Sequence, residues 1–317
     1  MENLLEAWQE FVKGKRSRDD VQAFERSLME NLFSLHTRLT DMTYRHAPYQ
    51  AFIISDPKTR HIHKASVADR VLHRALYRRL YPFFDRTFIA DSFSCRMGKG
   101  THKALDRFNV FARKVSQNHR KTVWVLTCDI RKFFASIDQR VLLTMLDGYI
   151  ADKRIVRLLE TILQSFSSGI EGIGLPLGNL TSQMLANVYL NAFDQFVKHR
   201  LRVKLYIRYA DDFVLFSEHR EYLENILEEI DAFLFQRLRL SLHPRKIELR
   251  SIASGIDFLG WVHFPHYRVL RTSTKRKMLK NLKGSAKPET LASYLGLLRH
   301  GDTYELSQQI LEGDRAL

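Results

Sequence analysis

Asp211 and Asp212 stand side by side between two short runs, Tyr206-Ile-Arg-Tyr209 and Phe213-Val-Leu-Phe216, that are rich in strand-forming residues. No other segment constrains the chain as much, because two strands joined at an acidic tip make a hairpin whose turn can hold a metal. A third acid, Asp129, ends another strand-like run, Val123-Trp-Val-Leu-Thr-Cys-Asp129. The surrounding chain is cationic, with 50 Lys and Arg against 35 Asp and Glu and a formal charge of +15. Carboxylates gathered in such a protein point to divalent ions working on a polyanion.

At 317 residues the chain is long enough for about two domains and a substantial core. Its charge selects nucleic acid or an anionic membrane surface as partner, against the plainer reading that charge serves solubility. The N-terminus, Met-Glu-Asn-Leu-Leu-Glu, lacks the basic start and apolar stretch of a signal peptide. Residues 172–193 are uncharged, yet Pro176, three glycines, three asparagines and Gln183 argue against a membrane span. Cys95 and Cys128 are too few for a disulfide framework or a cysteine zinc site and read as reduced core thiols. A soluble protein of the reducing cytoplasm, without membrane attachment, is expected.

Val21, Phe24, Leu28, Leu32 and Leu35 recur at helical spacing behind the start signals Asp19 and Asp20. Between Lys58 and Arg86, cations interleave with Ile62, Val67, Val71, Leu72, Leu76 and Leu80, a pattern that buries one face and turns a basic one outward. Ser136 and Asp138 can cap a helix through Val141, Leu142, Met145 and Leu146. Leu223, Ile226, Leu227, Ile230, Phe233 and Leu234 mark another helix, followed by the alternation Leu238, Leu240, Leu242. Residues 268–287 hold eight Lys or Arg and no acid, a block suited to phosphates. Within it Ser273 or Thr274 can open a short helix carrying Met278, Leu279 and Leu282, ended by Gly284 and Pro288. A further helix from about Pro288 to Arg299 precedes a frayed C-terminus. Strands and helices mix without a repeat, so an α+β core with a mainly antiparallel sheet is expected.

A two-metal site needs carboxylates that bridge ions roughly 3.5–4 Å apart, one ion activating a hydroxyl and the other stabilising a leaving pyrophosphate. Asp129 and Asp211 are the expected ligands, with Asp212 turned the other way and contributing charge. Oxygen-only ligation selects two Mg²⁺ ions, with Mn²⁺ as a substitute.

Tyr209-Ala-Asp-Asp212, Asp129 with Ile130-Arg-Lys-Phe-Phe134, and Gly174-Leu-Pro-Leu-Gly-Asn-Leu-Thr-Ser-Gln183 resemble three ordered blocks of reverse transcriptases. Lys246 after His243-Pro244, and Phe258-Leu-Gly-Trp261, extend the resemblance, which runs from about Lys58 to His300. It implies a right-hand polymerase fold: N-terminal helices and fingers over 1–122, a palm with an antiparallel sheet over 123–262 with part of the fingers inserted between motifs, and a helical thumb over 263–317. It further implies Asp129, Asp211 and Asp212 as catalytic metal ligands and Phe134 as a steric gate against the ribose 2′-hydroxyl, with plain core packing as the competing reading. Arg60 and Lys64 would contact the incoming triphosphate, Leu177, Gly178 and Gln183 the nascent pair, and Lys246 the leaving phosphates. Phe258, Leu259, Gly260 and Trp261 would grip the primer, and Lys275, Arg276, Lys277, Lys280 and Lys283 would hold nucleic acid.

Leu177 before Gly178, and the ending Ser182-Gln183, depart from the usual block and are similar to the enzymes of diversity-generating retroelements. Cys95-Arg-Met-Gly-Lys-Gly-Thr-His102 and Ser293-Tyr-Leu-Gly-Leu-Leu-Arg-His300 share that likeness. That family implies an enzyme that copies a template RNA into cDNA from deoxynucleotides and misincorporates opposite adenine. It also implies a partner, the accessory variability determinant, a basic pentameric barrel. A retron-type or defence-associated reverse transcriptase, and an idle RNA-binding scaffold, are the alternatives. Gly98-Lys-Gly-Thr101 is not a Walker motif, since Phe93 stands where its first glycine belongs.

Overall fold

A computed structural model of the protein describes residues 1–55, 59–282 and 287–315. The backbone builds two compact units, one from Met1–Ala90, Ile130–Arg200 and Ile230–Leu242, the other from Asp91–Asp129, Leu201–Glu229 and His243–Leu317. Neither unit changes over at residue 123 or 263.

The first unit is mainly helical. Helices Glu2–Val12, Asp19–Arg26 and Leu28–Thr40 lead to a hairpin of β1 (Gln50–Ser55) and β2 (Thr59–Lys64), followed by helix Val67–Thr87. The stripe begun at Val21 is carried by two helices, not one, because Ser27 at φ −119°, ψ 42° leaves the helical region. Val21, Leu32 and Leu35 are buried all the same. Helix Val67–Thr87 starts where the Ser66 hydroxyl accepts from the Asp69 amide at 3.2 Å, and it buries Val71, Leu72, Ala75 and Leu76 along one face. Its basic face is not simply solvated: Arg78 pairs with Glu6 at 2.5 Å and with Glu10, while Lys64 and Arg70 both reach Asp20. Much of the cationic stretch is therefore neutralised within the fold.

Helices Gln139–Tyr149, Lys153–Gln164 and Leu180–Gln195 complete this unit, with the C-terminal part of Arg220–Leu238. Asp138 caps the first of these, accepting from Arg140 and Val141 amides at 2.9 and 3.1 Å. The alternation Leu238, Leu240, Leu242 does not make a strand. Leu238 ends a helix, and only Leu242 bridges across, to Ile130.

Burial holds His73 neutral, pushed down to about 3, with His46 adding to the shift. Unfolded, it titrates near 6.5, so the unfolded chain binds the extra proton between pH 6.5 and 3 and stability falls as pH drops through that window. In urea titrations, the loss between pH 7.5 and pH 5 should be about 2 kcal/mol smaller for His73→Gln than for the wild type. Parallel losses in both proteins would contradict this assignment.

The second unit holds a fully antiparallel four-stranded sheet of β3 (Trp124–Asp129), β4 (Tyr206–Tyr209), β5 (Asp212–Ser217) and β6 (Glu248–Ser251), in the order β4-β5-β3-β6. A three-stranded meander follows, β7 (Ile256–Phe258), β8 (Trp261–His263) and β9 (Arg268–Leu270). β-Branched and aromatic residues are frequent in β3, β4, β5, β7 and β8, as a pleated half-buried surface favours. Val125, Ile207, Val214 and Phe216 share one sheet face, where they join Leu105, Phe108 and Phe111 of helix Thr101–Val115 and Phe258 and Trp261 of the meander in one core. Helices Thr272–Leu282 and Pro288–Leu298 contribute Met278 and Leu298. The C-terminus is not frayed from residue 300: helix Tyr304–Arg315 docks through Leu306 and Ile310. Among the described residues no helix is long and apolar enough to cross a membrane.

Candidate active site

The three acids meet in the second unit. β3 and β5 are in register so that Asp129 lies directly opposite Asp212, and β4 and β5 close with Tyr209 opposite Asp212. Only Ala210 and Asp211 remain to make the turn, which fixes Asp212 as the first residue of β5. Counting along the strands in steps of two puts Asp129, Asp212 and Tyr209 on the face that carries Val125, Val214 and Phe216, at the end of the apolar core. The expectation that Asp212 turns away is therefore corrected. Strand period makes Asp212 the cross-strand partner of Asp129, and Asp211 occupies the turn itself.

Ala210 sits at φ 54°, where glycine is usual in such a turn. Arg208, fully buried, donates from Nη1 to the Ala210 carbonyl at 3.1 Å and holds the turn in this shape. The Thr101 hydroxyl donates to the Tyr209 hydroxyl at 3.0 Å from the first turn of its helix. Sequence reasoning singled out neither residue. A charged Arg208 inside a buried strand was a readable signal, whereas nothing in the chain links Thr101 to Tyr209.

Burial, a hydrogen bond with Asp129 and the charges of Asp211 and Asp129 push the Asp212 carboxyl up to about 8, against the pull of Lys246. The bond between two carboxyls requires a proton on one of them. Lys246 Nζ pairs with Asp129 Oδ2. It is delivered there by the turn Pro244–Lys246, anchored where the His243 amide donates to the Asp129 carbonyl at 2.8 Å. As the side chains stand, no group of three or more His, Cys, Asp or Glu among the described residues surrounds a metal position. The donor set nevertheless fits a hard divalent cation: oxygen only, with negative charge crowded enough that one carboxyl takes up a proton and a lysine leans in.

Of the residues expected at the nucleotide, Arg60, Lys64, Phe134, Leu177, Gly178 and Gln183 belong to the first unit, and Lys246 to the second. The Phe134 carbonyl accepts from the Leu175 amide at 2.7 Å, and the Leu177 carbonyl accepts from the His63 amide at 2.9 Å. Asn179 returns a bond from Nδ2 to the His63 carbonyl at 3.0 Å. These bonds stitch β2, the turn at Phe134 and the Gly174–Gln183 block together. Gly178, at φ 104°, is required by that closeness, since a Cβ there would stand 2.8 Å from Ile62 Cγ2. Arg60 and Gln183 are exposed, and Leu177 and Phe134 are half-buried, Phe134 with its ring 5.3 Å from Phe133. Lys64 is committed to Asp20 at 2.7 Å, so of the two expected phosphate contacts Arg60 is the more accessible.

Phe258 and Trp261 point into the core of the second unit at 3 % and 2 % exposure. They cannot offer their rings to a primer. What the hairpin presents is the turn, Leu259 at φ 51° and Gly260 at φ 86°. On helix Thr272–Leu282, Lys275, Arg276 and Lys280 are exposed and Lys277 is half-buried, while Lys283 and Gly284 lie outside the described residues.

The reverse transcriptase (RNA-dependent DNA polymerase) family model matches residues 55–263, the span that holds the three acids and the Gly174–Gln183 block. The chain belongs to this family. Among curated relatives, protein YkfC of Escherichia coli K12 is 24% identical over 65% of the chain and 63% of its own length. The group II intron-encoded protein LtrA of Lactococcus lactis is 21% identical over 85% of the chain and 54% of its own length. The chain thus spans less than two thirds of these relatives. Among solved structures, Candida albicans telomerase, in complex with a fragment of telomeric RNA, superposes with a TM-score of 0.55 at 12% identity, over 86% of the chain and 54% of the telomerase. Apo telomerase of Candida tropicalis gives 0.56 at 11% identity, over 79% and 53%. The fold is the α+β right hand of these polymerases.

Proposed function

We propose that the protein is an RNA-directed DNA polymerase that extends a primer 3′-hydroxyl with deoxynucleotides along a template RNA. The observation that carries this is the meeting of Asp129, at the end of β3, with Asp212 beside Asp211 in the β4–β5 hairpin. Asp129, Asp211 and Asp212 would hold two Mg²⁺ ions, or Mn²⁺ in their place. The chemistry such ions supply is activation of the primer hydroxyl and neutralisation of the departing pyrophosphate. Lys246, paired with Asp129 here, would exchange that carboxylate for a phosphate. Arg60, with Lys64 behind it, meets the triphosphate. Phe134 excludes the 2′-hydroxyl, and Leu177, Gly178 and Gln183 border the nascent pair. The Leu259–Gly260 turn, supported by Phe258 and Trp261, holds the primer, and Lys275, Arg276, Lys277, Lys280 and Lys283 follow the RNA/cDNA duplex. In this reading 1–122, 123–262 and 263–317 serve as fingers, palm and thumb.

Leu177 and the Ser182-Gln183 ending favour the diversity-generating role, in the cytoplasm with the accessory variability determinant as partner. An apolar Leu177 gives the incoming nucleotide no polar hold, so selection opposite adenine rests on shape alone. The likeness to LtrA supports a second reading, an intron-type enzyme without adenine bias. Primer extension on a defined RNA with Mg²⁺, followed by sequencing, separates them. The first reading expects errors opposite adenine about tenfold above those elsewhere, reduced by Leu177→Gln. Errors spread evenly over the template would favour the intron-type reading, and absence of any extension would reject both.

A further inference from the structure

Beneath the Leu177–Asn179 turn runs a chain of buried polar side chains that nucleotide addition does not itself use. Thr181 Oγ1 meets His73 Nδ1 at 2.6 Å, His73 Nε2 meets His46 Nε2 at 3.2 Å, and His46 Nδ1 meets the Ala47 carbonyl at 2.6 Å. A carbonyl only accepts, so His46 carries a proton on Nδ1. In the neutral ring its Nε2 then accepts from His73 Nε2, which leaves His73 Nδ1 to accept from the Thr181 hydroxyl. Every link has one donor and one acceptor. Asp69 secures the near end, accepting from the Tyr44 and Ser66 hydroxyls at 2.7 Å each and from the Ala47 amide at 3.2 Å. His73 and Thr181 are 2 % and 1 % exposed, so the bond between them is shielded from solvent.

The far end of the chain is where it matters. Thr181 lies in the first turn of helix Leu180–Gln195, two residues after Asn179. The Leu177–Asn179 turn is thus tied on one side to His63, through the two bonds described above, and on the other to His73. Apolar packing alone would hold the helix but leave its rotation loosely set; directional bonds in a low-dielectric interior fix one arrangement.

We propose that the His46–His73–Thr181 chain is a positioning device for nucleotide selection: it sets the Leu177–Asn179 turn against the incoming nucleotide, so that Thr181 and His73 determine specificity without touching substrate. This rests on the reading that the Leu177–Gln183 block borders the nascent pair.

Single-nucleotide incorporation on an RNA template tests it, with Thr181→Val, Thr181→Ser and Leu177→Gln beside the wild type. Thr181→Val keeps the shape and removes the donor. It should raise KM for the correct deoxynucleotide about fivefold to tenfold, the worth of one net hydrogen bond, and change the misincorporation ratio, with kcat within about twofold. Thr181→Ser should restore both. A merely structural role would lower the melting temperature and leave KM and the error ratio alone. Should Thr181→Val fail to fold, Thr181→Ala replaces it, since its smaller side chain admits a water to His73. If the Thr181 variant matches wild type while Leu177→Gln shifts KM or errors, the positioning role is overturned and the assignment of the block stands. If neither moves them, both are overturned.

Discussion

Asp211→Ala is expected to lower primer extension by at least about three orders of magnitude, the scale on which metal-assisted charge stabilisation works. Asp212→Asn should lose activity on a similar scale and yet melt higher than the wild type in EDTA. The two effects have one cause. Asp212 is buried opposite Asp129 and beside Asp211, and it holds its place by sharing a proton and borrowing charge from Lys246. An Asn amide keeps the hydrogen bond to Asp129 and removes the repulsion, a gain of about 1–2 kcal/mol. For a chain of this size that is a rise of roughly 2–3 °C. Added Mg²⁺ should then stabilise the wild type more than the variant, because only the former offers the full set of carboxylates. Extension by Asp211→Ala at the wild-type rate, or a lower melting temperature for Asp212→Asn in EDTA, would refute the assignment of these acids. Opposed changes in stability and activity mark a site that keeps unfavourable charge for use.

Gly301→Ala should be the most damaging single methyl in the second unit. A Cβ at that position would stand 2.0 Å from Trp261 Cζ3, 2.8 Å from Trp261 Cη2 and 2.8 Å from the Arg268 carbonyl. None of these has room to retreat. Trp261 is buried in the core, and the Arg268 carbonyl already accepts from the Asp302 amide at 2.8 Å. Overpacking against a fixed ring and a fixed carbonyl costs about 3 kcal/mol or more, a fall in melting temperature of roughly 5 °C or more. In a Trp261→Leu background the same methyl should cost much less, since the two positions share one space. Circular dichroism melts of the four proteins measure the coupling; additive shifts would show that the contact with the ring is not the cause.

The sequence was most readable where a short-range rule applies. Strand residues on both sides of Ala210-Asp211 fixed the hairpin, and Asp138 ahead of a helical stripe fixed a cap, because both depend on neighbours a few positions away. Asp129 is joined to Asp211 by the chemistry of a two-metal site and by a family pattern, not by a local rule, since their meeting is a matter of sheet order. Errors arose where a long-range contact overrode the local pattern. Ser27 breaks an otherwise continuous stripe, the Leu238–Leu242 alternation pairs with nothing except Ile130 at one residue, and Leu306 and Ile310 find a core that the polar sequence around them does not announce. Lys64 reads from the sequence as a free phosphate contact for the same reason: its acid, Asp20, is supplied by a helix far away in the chain. The aromatic pair Phe258 and Trp261 belonged to a recognisable motif, yet its side chains face inward, and only the register of β7 with β8 reveals that the backbone turn is what remains outside.

Each unit is assembled from three separated stretches of backbone, the first closing only at Leu242 and the second only with the segment that follows. Neither hydrophobic core can therefore be completed before the stretch that ends at Leu242 has been synthesised. For most of synthesis the nascent protein exposes unfinished cores, and recombination between relatives at a single crossover inside these stretches would leave both halves with mismatched interiors. Inheritance of these interleaved stretches as one indivisible block follows from their threading.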